Sequence, residues 1–202
     1  MAKADPLETA YHEAAHAVFH LKLGLRQGRV TIRPDESQGT LGHSEFRRPK
    51  WINDSPATTR EEQRLRLNAE NEILSLLAGR IAQSKYAGRR IRWGHEFDYQ
   101  TVTDLAFSFI SYDPDIQHAF LAYCEKQAQA NVDHWWPEIQ AVAHALTERT
   151  TLTRREIEDV IAAIPLEVLE QHYERRRQAD DAAQAALKSE PRLDLRRKVA
   201  KI

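Results

Sequence analysis

Cysteine is nearly missing from this chain: Cys124 is the one thiol in 202 residues. Its isolation excludes a disulfide framework and a cysteine-built zinc site, and a reducing compartment follows as the expectation. Long apolar runs are missing as well. No stretch approaches the roughly 18 residues that a membrane span requires, and the first residues lack the apolar core of a signal peptide. A cytoplasmic protein without membrane contact is therefore expected. Nor is there a surplus of charge, since 29 Lys and Arg against 30 Asp and Glu leave a formal net charge of -1. That balance gives no general pull toward nucleic acid or lipid, and the closing Arg196-Arg197-Lys198 is too short to alter it. No internal repeat occurs. The length fits one domain with an appendage and is enough to bury a core.

What is present begins with a helix. Asp5 is a cap, Pro6 suits the first helical position, Glu8 completes a capping-box-like start, and Gly24 ends the segment. Ala10, Ala14, Ala17, Val18 and Leu21 give this helix a face of small apolar residues that can pack closely. The period then turns to alternation. Residues 29–33 and 40–46 read as two short strands joined by a turn-rich 34–39, and must lie on helices to be stable. Ser55-Pro56 opens a long helix to about Tyr86, with Leu65, Ile73, Leu76, Leu77 and Ile81 as its buried stripe and Gly88 beyond its end. Another helix begins around Asp98, with Val102, Leu105, Ala106 and Phe109 inward. Asp113-Pro114 caps the next, which runs to Trp135-Trp136-Pro137 and resumes, kinked or broken, to Glu148. Thr153 with Glu156 is a capping box for a short helix to Ala163. From Pro165 onward the chain is Arg, Gln, Asp and Ala with only Leu166, Leu169 and Tyr173 in weak helical period. The expected fold is mainly α with a small β-sheet, residues 1–164 forming one helical domain and 165–202 a charged helical extension.

The chemistry lies in Tyr11-His12-Glu13-Ala14-Ala15-His16. Positions four apart share a helix face, so His12 and His16 can turn ring nitrogens toward one ion, with Glu13 beside it as a candidate base. Zinc suits two neutral imidazoles plus a carboxylate with one position left open. A third protein ligand must come from elsewhere in the chain. Glu70, Glu72 and Asp98, the last with His95 and Glu96 beside it, are all candidates, and spacing does not choose among them. His20 continues the spacing but lies about 12 Å along the axis from His12, too far to share that ion, and reads as an ordinary helix residue. Trp135 and Trp136 read as packing anchors.

Several segments together carry a resemblance. His12 through Val18, Val30-Thr31-Ile32-Arg33-Pro34 with Leu41-Gly42, Leu76 through Ala82, and Gly94 through Asp98 followed by Thr103-Asp104-Leu105-Ala106 come in the same order as in the peptidase domain of the FtsH family of ATP-dependent zinc proteases. The chain resembles that domain over roughly residues 7 to 163. The resemblance implies a zinc ion held by His12, His16 and Asp98, with Glu13 as the catalytic base. It departs from the family at Ala15, where glycine is usual, at His95-Glu96-Phe97, where small and polar residues are usual, and at Gln83, where an acid is common. These residues contain no membrane anchor, Walker-type loop or ATPase module. The expectation is a cytoplasmic zinc metallopeptidase acting on peptides or unfolded proteins, with any ATPase being a separate partner. The alternatives are a regulatory or binding protein that keeps the peptidase fold without cleaving, and a zinc amidohydrolase for small molecules. The segment 40–46 is a candidate edge for an extended substrate, and His43, His95 and Tyr99 are candidate oxyanion donors.

Overall fold

The first helix, α1 (Pro6–Lys22), starts where its sequence signals place it. The Asp5 carboxylate accepts the Leu7 N–H at 2.9 Å, and Pro6 fills a first-turn position where an N–H would have no partner. Glu8 is turned instead to Arg89 Nη2, at 2.6 Å, and to the Gln83 amide, at 3.4 Å, so its role is to tie the helix to a distant segment. These contacts belong to a computed structural model, which describes residues 5–34, 43–44, 58–91 and 96–189. Most of the expected turn 34–39 and of the strand 40–46 lies outside the described residues.

Every α1 residue from Ala10 to His20 is buried except His12, which is half-buried. The sequence pattern marks one inward face, but the helix is enclosed nearly all round, mainly by α2 (Thr59–Ala87) and α5 (Trp136–Arg149). Alanine at 10, 14, 15 and 17 is what permits this, because a methyl-sized side chain lets neighbouring backbones come close. Tyr11 stacks on Tyr86 with centroids 4.3 Å apart and on Trp136 at 5.3 Å, and Phe19 meets Trp135 edge-on at 4.9 Å. Both tryptophans thus anchor α1.

The α2 helix opens at Thr58, whose hydroxyl accepts the Glu61 N–H, three residues after the expected Ser55-Pro56. It closes at Gly88 in the left-handed conformation, φ +62°, a backbone state that glycine enters without a side-chain clash. Its buried side comprises Leu65, Ala69, Ile73, Leu77 and Ile81, and it also packs against α3 (Glu96–Phe109) and α4 (Pro114–His134). Asp113 caps α4 by accepting the N–H groups of Asp115 and Ile116. Of the kink or break expected at Trp135-Trp136-Pro137, the structure has the break: α4 ends at Trp135, and α5 starts afresh with Pro137 in its first turn. Thr153 and Glu156 form the expected capping box of α6 (Arg154–Ala162).

Three two-residue strands make an antiparallel sheet in the order β2-β1-β3, with β1 Val30–Thr31, β2 His43–Ser44 and β3 Thr151–Leu152. Val30 pairs with Ser44 and Leu152, and Thr31 with His43 and Thr151. The sequence signals two of these strands. The third forms because Thr150, at φ +61°, turns the chain out of α5 onto β1, where its carbonyl accepts the Ile32 N–H at 2.9 Å. By its contacts the chain falls into two units, Met1–Ile164 and Pro165–Ile202. The described part of the second is α7 (Leu166–Ser189), on which Leu166 and Val168 are exposed. No helix among the described residues is long and apolar enough to cross a membrane.

Candidate metal centre

His12 and His16 stand one turn apart on α1, their rings edge-on with centroids 4.6 Å apart and their Nε2 atoms 3.0 Å apart. Asp98 arrives from the first turn of α3. It shares a helix face with buried Val102, Leu105 and Ala106, so the packing that seats α3 also turns the carboxylate inward. Its Oδ2 lies 3.3 Å from His12 Nε2 and 3.6 Å from His16 Nε2. These three are the group of ligand-type side chains that could hold a metal ion among the described residues.

The third supporting element is α2. The His16 Nδ1 lies 2.9 Å from the Ser75 carbonyl oxygen. A carbonyl only accepts, so Nδ1 carries the proton and Nε2 presents its lone pair toward His12 and Asp98. A carbonyl behind a histidine in this way is the usual outer support of a metal-ligating imidazole.

Electrostatics argue in the same direction. Two imidazole lone pairs and a carboxylate crowded at these distances repel unless a positive charge joins them. Without a metal, a proton fills that role: burial disfavours charge on His16, yet hydrogen bonding to Asp98 and the charges of Asp98 and Glu13 outweigh it and raise its pKa to about 9. Burial also favours a neutral Asp98, but hydrogen bonds and charge from His12 and His16 hold it well below the usual carboxylate range. The donor set therefore fits a cation, and specifically the two-imidazole, one-carboxylate set that zinc accepts. Glu13, adjacent in sequence to His12, is buried at 6% exposure.

The other candidate ligands go elsewhere. Glu72 is buried beside His20, with Oε2 and Nε2 3.9 Å apart. Burial raises Glu72 to about pKa 7 against the pull of His16, while burial and the charge of His16 lower His20 to about 3. His20, read from the sequence as an ordinary helix residue, is buried beside Glu72. Glu70 is half-buried and helps burial push the Cys124 thiol up to about 12. Tyr99, one residue past Asp98, is 64% exposed, which does not favour an oxyanion role. His95 and the side chains of His43, Glu96 and Phe97 lie outside the described residues. One supporting residue carries no side-chain signal in the sequence: Ser75, which acts through its carbonyl.

No family model matches the chain. It is similar to the ATP-dependent zinc metalloprotease FtsH 1 of Symbiobacterium thermophilum, with 30% identity over 193 residues. That match takes in 81% of this chain and 30% of the relative, so the chain spans less than a third of that protein's length.

Proposed function

We propose that this chain is a zinc-dependent metallopeptidase that hydrolyses peptide bonds in peptides or unfolded proteins. The observation that carries the reading is the convergence of His12 Nε2, His16 Nε2 and the Asp98 carboxylate from two helices far apart in sequence. The similarity to a zinc metalloprotease over most of this chain supports it. His12, His16 and Asp98 would hold the ion. Bound there, zinc supplies Lewis acidity, which polarises a carbonyl and makes water more acidic. Glu13 takes the proton from the attacking water and returns it to the leaving amine nitrogen. Ser75 fixes the tautomer of His16, and Asp98 neutralises part of the added charge.

An extended chain suits this site better than a folded surface. His12, His16 and Asp98 expose only 12%, 8% and 22% of their side chains, so a substrate must thread close to reach them. The β2 strand is one of the two outer strands of the described sheet and lies against α1, where a peptide backbone could add by hydrogen bonding.

Replacing Glu13 with Gln tests the reading. The variant should bind one zinc as the wild type does and lose about 10²- to 10⁴-fold in the rate of peptide hydrolysis. Full activity in Glu13→Gln would remove Glu13 from the mechanism. Zinc bound by the wild type without cleavage of casein or any peptide library would favour a non-cleaving regulatory protein.

A further inference from the structure

Glycine is the poorest helix former after proline, yet Gly79 lies in the interior of α2. Conformation does not demand it, since the positive-φ glycines among the described residues are Gly24 and Gly88. What is distinctive at position 79 is the space that a side chain would occupy. A β-carbon there would lie 2.6 Å from His16 Nε2, 2.7 Å from His12 Cε1 and 2.8 Å from His12 Nε2, all under the 3.0 Å that real contacts of this kind respect. All three atoms belong to the two imidazoles, and two of them are the nitrogens that face Asp98.

The His16 ring has little freedom to retreat. His16 is held from behind by the Ser75 carbonyl at 2.9 Å and is 6% exposed. Ser75 and Gly79 are four apart, on one face of α2. One turn of this helix thus pins the His16 ring, and the next leaves its backbone bare so that the His12 ring can come alongside. We infer that Gly79 is a positioning residue of the metal centre, its missing side chain being what lets His12 and His16 converge with Asp98 on one divalent cation. This rests on the metal-binding part of the proposed function.

The test measures metal affinity and folding, independently of activity. Zinc affinity is read by competition with a chromophoric chelator, and ligand geometry by the visible absorption of the cobalt-substituted protein. Gly79→Ala should bind zinc about 10- to 100-fold more weakly or worse, the range seen when outer support of a ligand is lost, and should change the cobalt spectrum. Gly88→Ala, a strained substitution with nothing within 4 Å of its β-carbon, should lower the melting temperature and leave zinc affinity unchanged. Thermal melts in chelator then cover the case in which Gly79→Ala folds poorly. The substitution should lower the melting temperature in the wild-type background and raise it in a His12→Ala, His16→Ala background, where the rings are gone and only the better helix propensity of alanine remains. Wild-type affinity in Gly79→Ala, or equal destabilisation with and without the imidazoles, overturns the inference while leaving the metal centre intact. A wild-type protein that binds no zinc overturns the metal centre and this inference together.

Discussion

Metal uptake should be tied to proton release, and the size of the coupling follows from the geometry. In the metal-free protein His16 remains protonated up to about pH 9, because the charge and hydrogen bond of Asp98 outweigh burial. Nδ1 keeps its own proton on the Ser75 carbonyl, so the proton that leaves is the one on Nε2, the atom an ion must take. At pH 7 this group is about two pH units below its pKa, and freeing it costs about 3 kcal/mol at 1.36 kcal/mol per unit. Apparent zinc affinity at pH 7 should thus be about 100-fold weaker than its plateau above pH 9. The dissociation constant should fall about tenfold per pH unit between 7 and 9, with about one proton released per ion at pH 7. Isothermal titration with chelator-buffered zinc, repeated in buffers of unequal ionisation heat, counts those protons directly. An affinity flat from pH 7 to pH 9, or binding at pH 7 that releases no proton, would refute the charge assignment at His16.

The same linkage predicts how the metal-free fold responds to pH. A folded-state pKa raised from 6.5 to about 9 contributes stability that is full below about pH 6.5 and is lost as pH rises through 9. Melting in chelator should therefore show a loss of up to about 3 kcal/mol between those limits, and a His16→Ala variant should lack it; equal pH dependence in the two proteins would sink the account. At the start of α6, Thr153→Ala removes the hydroxyl that accepts the Glu156 N–H and should cost about 1 kcal/mol in urea unfolding, with zinc affinity unaffected.

Features that the sequence alone makes legible are those decided within a turn or two of chain. Asp5 before Pro6, Asp113 before Pro114, Thr153 three residues ahead of Glu156, and Gly88 at a helix end all act through neighbouring backbone groups, so their meaning needs no tertiary context. The misses were settled from a distance. β3 is two residues long and has no pattern of its own; it exists because Thr151 and Leu152 meet Thr31 and Val30 across more than a hundred residues of chain. Glu8 has the spacing of a capping box, but Arg89 offers it a full charge, and charge-assisted bonds are the stronger kind. The all-round burial of α1 likewise depends on α2 and α5 closing over it.

The metal centre divides along the same line. The pairing of His12 with His16 is local helix geometry, whereas the third ligand had several acidic candidates that only packing could separate. Position separates them, and each environment also permits a different charge state. His16 and His20 are the same residue type four apart on one helix, yet one is raised to about pKa 9 and the other lowered to about 3. His16 faces Asp98, which stays ionised because two imidazoles donate to it. His20 faces Glu72, which burial raises to about 7 and which offers little charge in return. Position works in the same direction: the Asp98 carboxylate lies 3.3 Å from His12 Nε2 and 3.6 Å from His16 Nε2, whereas Glu72 lies 3.9 Å from His20. In the metal-free protein the same two imidazoles that stand together at this candidate site thus also keep Asp98 ionised.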